Sequence, residues 1–197
     1  CFNRSGPPDY CPPEVYRAQS DRLYRNRGNG TFADVTTTAG VAYTFGPALG
    51  VATADYNNDG WIDIFVANDQ QENQLWINQQ DGTFSNMAPL WGTALGASGE
   101  AKADMGVDAG DFDNDGDNDL VVTQREASTC QFFNNDGQGS LTQAATVIVG
   151  GGQNHCVVGD WDSDGDLDVA LSDGNWASRF YILMNDGSGD FFGCICK

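Results

Sequence analysis

One histidine, His155, stands in a chain of 197 residues, and nine Lys and Arg face 28 Asp and Glu. A Ser-His-Asp or Cys-His catalytic pair could therefore use that residue alone. Its neighbour Cys156 would point to the opposite face of a strand, so the sequence predicts no enzyme. The few basic residues are scattered with no basic stripe, which argues against nucleic-acid binding. Long apolar runs are also missing. No stretch reaches about 18 apolar residues, so no membrane span is predicted. Nor does any segment show sustained helical periodicity with caps. Proline is scarce after residue 21: Pro7, Pro8, Pro12 and Pro13 are four of the six.

What is present is aspartate, in a pattern. Of 24 Asp residues, 13 lie in three nine-residue stretches. These are Asp55–Asp63 (DYNNDGWID), Asp111–Asp119 (DFDNDGDND) and Asp160–Asp168 (DWDSDGDLD). Each reads D-x-[DN]-x-D-G-x-x-D, which crowds four side-chain oxygen donors around one point. The Gly sits where the backbone must turn sharply. A hard cation taking about six to eight oxygens suits such a loop, and that is calcium. The expected ligands are Asp55, Asn57, Asp59 and Asp63 with the Trp61 carbonyl; Asp111, Asp113, Asp115 and Asp119 with the Asp117 carbonyl; and Asp160, Asp162, Asp164 and Asp168 with the Asp166 carbonyl. Three ions would cancel six of the net 19 negative charges. Magnesium fits less well because it keeps its water and demands strict octahedral geometry. An EF-hand is excluded, since the twelfth position is Val66, Val122 or Leu171 rather than Glu. The competing reading, an acidic turn without metal, would set carboxylates side by side at a cost in stability. The first loop offers three carboxylates against four in the others, so it is expected to bind most weakly.

A second motif marches with the loops: LYRNRGNGTF (23–32), LWINQQDGTF (75–84), FFNNDGQGSL (132–141) and ILMNDGSGDF (182–191). Its Asn residues, 26, 78, 135 and 185, are spaced by 52, 57 and 50, and the loop starts by 56 and 49. A small-residue strand precedes each loop and an apolar strand follows it. The third strand ends at the Asn, and a Gly-rich turn leads to the fourth. Four short strands per repeat of roughly 50 residues describe a β-propeller blade. The expected fold is all-β: antiparallel four-stranded blades with calcium loops between strands one and two. The full blades are 46–88, 104–145 and 154–193, and 22–38 supplies the outer two strands of another. About three and a half blades fall short of the roughly four to eight that close a ring. Open sheet edges are association sites by default.

Residues 1–21 read as a Pro/Cys-rich arm. It is pinned by Cys1–Cys11, or bridged through one of those cysteines to a neighbouring subunit, or a disordered terminus. No signal peptide is visible and the first residue is not Met, so the chain reads as mature or truncated. Six cysteines (Cys1, Cys11, Cys130, Cys156, Cys194, Cys196) are an even number. With calcium loops, they favour an extracellular or cell-surface setting, ahead of the periplasm, with disulfides. The competing reading makes some of them plain buried thiols. Sequons at Asn3 and Asn29 are candidate N-glycosylation sites. Trp61, Trp76 and Trp161 are expected to pack between blades. Trp91 and Trp176, in loops, are candidates for stacking on sugars.

The phrases LYRNRGNGTFADVTTTAGV, LGVATADYNNDGWIDIFVAND, MGVDAGDFDNDGDNDL and GDWDSDGDLDVAL resemble the FG-GAP/VCBS repeat superfamily. That superfamily includes the integrin α-subunit propeller, and the nearest likeness is to the cartilage acidic protein (ASPIC/UnbV) group. The resemblance covers about residues 22–192. It implies a secreted or surface β-propeller, often of about seven blades, with calcium in the hairpin loops and roles in adhesion, ligand binding or scaffolding. His155 departs from the pattern, standing where the other blades have Gly50 and Gly106. Two functions follow as expectations. One is an extracellular calcium-binding adhesion or assembly module, completed by further blades or other copies of itself and open to a filament. The other is a carbohydrate-binding propeller or the accessory domain of a longer secreted enzyme. Its partners would be glycans or extracellular proteins.

Overall fold

A computed structural model describes residues 15–125, 129–149, 153–173 and 180–196. The side chains of 153, 154, 173 and 192–196 lie outside that description. Sixteen strands are present among the described residues and no α-helix. The short opening strands are β1 (Gln19–Ser20), β2 (Tyr24–Asn26), β3 (Phe32–Asp34) and β4 (Phe45–Gly46). β1 pairs with β4 and β2 with β3. Three four-stranded antiparallel meanders follow. Blade 1 holds β5 (Ala48–Ala54), β6 (Asp63–Asn68), β7 (Gln74–Asn78) and β8 (Phe84–Asn86). Blade 2 holds β9 (Asp104–Gly110), β10 (Asp119–Gln124), β11 (Thr129–Asn135) and β12 (Leu141–Ile148). Blade 3 holds β13 (Gln153–Gly159), β14 (Asp168–Asp173), β15 (Phe180–Asn185) and β16 (Phe191–Cys196). The architecture is that of β-propeller blades.

The register repeats from blade to blade. Ala54 pairs with Asp63, Gly110 with Asp119 and Gly159 with Asp168. Each acidic stretch is thus the connection of the first hairpin, and its last Asp opens the second strand. The second strands are apolar on both faces because sheets cover both sides, and all six residues of β10 are buried. Between blades 1 and 2 lie Tyr56, Phe65, Leu75, Leu120, Val122 and Phe133. Between blades 2 and 3 lie Phe112, Val121, Phe132, Leu171, Tyr181 and Leu183. Phe112 meets Phe132 and Phe191 edge-on, and Phe132 stacks on Phe191 at 3.9 Å between centroids. The inner strands approach closely. A Cβ on Gly50 would lie 2.6 Å from the Met105 carbonyl, so only Gly fits there.

The two outer faces of the stack are different. On blade 1, Val66 and Trp76 pack with Val41 under Leu23 and Phe84, so the opening strands shield part of the face. The inner part is bare. Val51 is 65% exposed, whereas Val107, its counterpart in blade 2, is 9% exposed. At the other end Val157 is exposed.

Several expectations change here. Trp76 is buried, but Trp61 and Trp161 are half exposed and do not pack between blades. Trp61 follows the Gly60 turn, and the Trp161 ring lies over Gly159, where a Cβ would sit 3.2 Å away. Trp91 is partly buried against the first core and its ring closes on Gly139, where a Cβ would sit 2.8 Å away. Trp176 lies outside the described residues. Cys130 and Cys156 are free thiols within the core between blades 2 and 3, not disulfide partners. Burial pushes the Cys130 thiol up to about 12 and raises that of Cys156 further. Cys1, Cys11 and Asn3 lie outside the described residues, as do the side chains of Cys194 and Cys196. Asn29 is exposed in the β2–β3 turn. His155 is an exposed residue of β13, paired with Ser172. Among the described residues, no helix is long and apolar enough to cross a membrane.

Candidate metal centres

The three loops share one scaffold. The first Asp caps the turn with both oxygens. Asp55 accepts from the Asp59 and Gly60 amides at 3.1 and 2.7 Å, and Asp111 from the Asp115 and Gly116 amides at 3.1 and 3.0 Å. Asp160 accepts from the Ser163 and Gly165 amides at 2.6 and 3.2 Å. The fifth position holds the following turn: Asp59, Asp115 and Asp164 accept from the amides of Trp61, Asp117 and Asp166, each at 2.9 Å. The fourth and sixth positions have positive φ in every loop: Asn58 and Gly60, Asn114 and Gly116, Ser163 and Gly165. Two left-handed residues fold the chain back so that alternate side chains converge.

The ninth-position carboxylates, Asp63, Asp119 and Asp168, are fully buried. Each accepts an amide from the second loop position on Oδ2: Tyr56 at 3.0 Å, Phe112 at 2.8 Å, Trp161 at 2.9 Å. Each accepts an amide from the third-strand Asn on Oδ1: Asn78, Asn135 and Asn185, at 2.8, 2.8 and 2.9 Å. Burial raises the Asp119 carboxyl to about 6 against those two hydrogen bonds, with the Asp113 and Asp115 charges adding to the rise. Asp63 is raised for the same first cause.

The donors converge most clearly in the second and third loops. One oxygen from each of Asp111, Asp113 and Asp115 lies within 4.8 Å of the others, as do oxygens of Asp160, Asp162 and Asp168. Asp113 Oδ1 is buried with no hydrogen-bond partner, and Asn134 donates to its Oδ2 at 2.7 Å. An orphan carboxylate oxygen beside two other carboxylates is what a bound cation would satisfy. Burial and then the neighbouring Asp charges raise the carboxyls of Asp113 and Asp162. The first loop differs. Asn57 replaces a carboxylate and its amide donates to Asp59 at 3.1 Å, as does Gln80. Burial acts against the Asp59 anion, but hydrogen bonds from Gln80, Trp61 and Asn57 outweigh it and hold the carboxyl low. Side-chain amides thus do part of the work there that a cation would do elsewhere. The seventh positions are held by Trp61, Asp117 and Asp166.

The repeat motif did not disclose the contacts between neighbouring loops. Asn58 donates to Asp117, and Asn114 to Asp166 at 2.8 Å, so each fourth position reaches the seventh of the next loop. The Asn135 side chain donates to the Tyr56 carbonyl at 2.9 Å, and that of Asn185 to the Phe112 carbonyl at 2.7 Å. At the other end of the seam, Asp104 is buried and accepts from Asn73 and Gln124 at 2.7 and 2.9 Å. Burial raises its carboxyl.

The FG-GAP-like repeat family matches this chain at residues 13–66, 55–122 and 111–171. Cartilage acidic protein 1 of Mus musculus is 29% identical over 177 residues, covering 85% of this chain and 27% of that protein. The Homo sapiens protein is 28% identical over 177 residues, covering 85% and 26%. The chain therefore spans about a quarter of the length of these relatives. Among solved structures, an Agrocybe aegerita lectin described for recognition of non-reducing terminal N-acetylglucosamine matches with a TM-score of 0.53. It is 20% identical, and the match covers 90% of this chain and 46% of the lectin. That likeness shows a shared fold. Three overlapping matches, running through all three acidic loops, place the chain in the FG-GAP-like repeat family.

Proposed function

We propose that the chain is an extracellular or cell-surface calcium-binding module that serves adhesion or assembly. The carrying observation is the combination of convergent loop carboxylates with apolar residues exposed on the outer faces at both ends of the stack. Each loop takes one calcium, three in all, and the ions tie the hairpins rather than take part in chemistry; the module is not an enzyme. The bare faces, with Val51 on one and Val157 on the other, are completed by further propeller blades or by another copy of the chain.

Sedimentation velocity in calcium and in EGTA tests this reading. Calcium is expected to give species larger than the monomer, and chelator to return them to monomer with loss of thermal stability. Indifference of both size and melting to calcium would remove the proposal.

A second reading, a saccharide-binding surface, has one observation in its favour. The buried Gln74 Nε2 has no hydrogen-bond partner and Gln74 lines a cavity of about 440 Å³ with Phe45, Glu72 and Asn86. An amide donor beside an exposed aromatic ring suits a neutral hydroxylated ligand. A glycan array probed with the calcium-loaded chain decides it, with no bound glycan as the result against.

A further inference from the structure

Resting on the calcium reading above, we propose that the three loops bind calcium as a coupled series, with Asn135 and Asn185 as the positioning residues that link one site to the next. The link is a continuous path of hydrogen bonds through the blade seams. Asp63, the ninth-position ligand of the first loop, accepts the Tyr56 amide at 3.0 Å. The Tyr56 carbonyl accepts the Asn135 side chain at 2.9 Å. The Asn135 amide donates to Asp119, ninth in the second loop, at 2.8 Å. The same three steps repeat across the next seam. Asp119 accepts the Phe112 amide at 2.8 Å, the Phe112 carbonyl accepts Asn185 at 2.7 Å, and the Asn185 amide donates to Asp168 at 2.9 Å. Asp63, Asp119 and Asp168 are all fully buried, with Asn135 and Asn185 buried beside them.

A second path runs over the surface. Asn58 lies between the ligands Asn57 and Asp59 and donates to Asp117, whose carbonyl serves the second loop. Asn114 lies between Asp113 and Asp115 and donates to Asp166 and to the Gly187 carbonyl, at 2.8 and 3.3 Å. Asn118 donates back to the Asp55 carbonyl at 3.4 Å. Fixing either loop on an ion therefore fixes donors and acceptors of its neighbour, and the second ion meets a loop already ordered. That is positive coupling through shared ordering. Hydrogen bonds in a buried chain also polarise one another, which strengthens the inner path.

Calorimetric titration of the full chain with calcium alone tests the proposal. Uptake is expected to be steeper than three independent sites allow. Disabling the second loop with D113N/D115N is expected to weaken the first and third loops by about fivefold or more, and disabling the first to weaken the second by the same factor. The Asn135→Asp variant removes the donor to the Tyr56 and Asn118 carbonyls but keeps an oxygen for the Gly137 amide. It is expected to lower coupling between the first and second loops and to spare that between the second and third. Asn185→Asp reverses the selection. A merely structural role would lower both together. Asn114→Gly gives a variant that tolerates the positive φ and has no core contact to lose. It is expected to reduce coupling across the second seam if the buried substitutions fail to fold. Three independent affinities, unchanged when a neighbour is disabled, would overturn the coupling and leave the calcium reading intact. No saturable uptake would overturn the calcium reading itself.

Discussion

The middle loop, 111–119, and the last loop, 160–168, have the same acidic positions yet differ in surroundings. Phe112 is 1% exposed, wedged into blade 3. Trp161, at the same position of the last loop, is 49% exposed. Asn114 reaches the neighbouring Asp166, whereas Ser163 bonds within its own loop, to Asp160. The difference lies in the blade that follows. Where another blade packs against the loop, as at Tyr56 and Phe112, the aromatic residue is buried and its carbonyl accepts a hydrogen bond from the next blade's Asn.

The sharpest way to break that comparison is at the aromatic position. Phe112→Ala is expected to lower unfolding stability by about 3–5 kcal/mol through the cavity it leaves. Trp161→Ala is expected to cost within about 0.5 kcal/mol, as for a surface site. Urea unfolding in calcium measures both, and equal losses would mean that the last blade is covered in solution.

Acidity separates the loops next. The Asp119 carboxyl is raised to about 6 in the folded chain, above its ordinary value near 4. Its contribution to stability in EGTA is therefore full below about pH 4 and is lost as pH rises through about 6. Calcium competes with that proton, so uptake by the middle loop is expected to weaken as pH falls below about 6. Melting in EGTA and calcium titration across pH 4–8 check the two halves.

Gly187→Ala probes the contact between loops. Gly187 has φ +79°, and a Cβ would lie 2.6 Å from the Asp166 carboxylate that Asn114 binds. A loss of about 2 kcal/mol is expected, against about 1 kcal/mol for Gly165→Ala, which has a similar φ but open space. The smallest effect belongs to the first loop. Asn57→Asp restores the missing carboxylate and is expected to tighten that site by on the order of tenfold, bringing it level with the others. Isothermal titration reads the ranking, and a first loop already tightest in the unaltered chain would contradict it.

Much of this was legible in the sequence because it is local. The D-x-[DN]-x-D-G-x-x-D spacing fixes which side chains converge, and the Asn-Gly turns mark where third strands end. Blade type and family followed from those. What spacing cannot show is which side of a unit meets its neighbour. Asn58 and Asn114 look like loop filler until Asp117 and Asp166 appear across the seam. Trp61 and Trp161 carry a core residue's hydrophobicity, but their exposure depends on where the stack turns and stops. Cys130 and Cys156 entered an even count as bridge candidates, yet they lie in an apolar core as small hydrophobes. Asp104 stands outside both motifs, and its burial depends on Asn73, 31 residues away, and Gln124.

The seam between blades has a polarity: one unit offers the carbonyl of Tyr56 or Phe112, and the next offers the amide of Asn135 or Asn185. A unit bearing both groups is a plug on one side and a socket on the other. Duplicating such a unit in a gene supplies both halves of a new joint at once, with no second mutation needed to make them fit. Arrays of this kind can lengthen or shorten by whole units while every joint stays chemically the same.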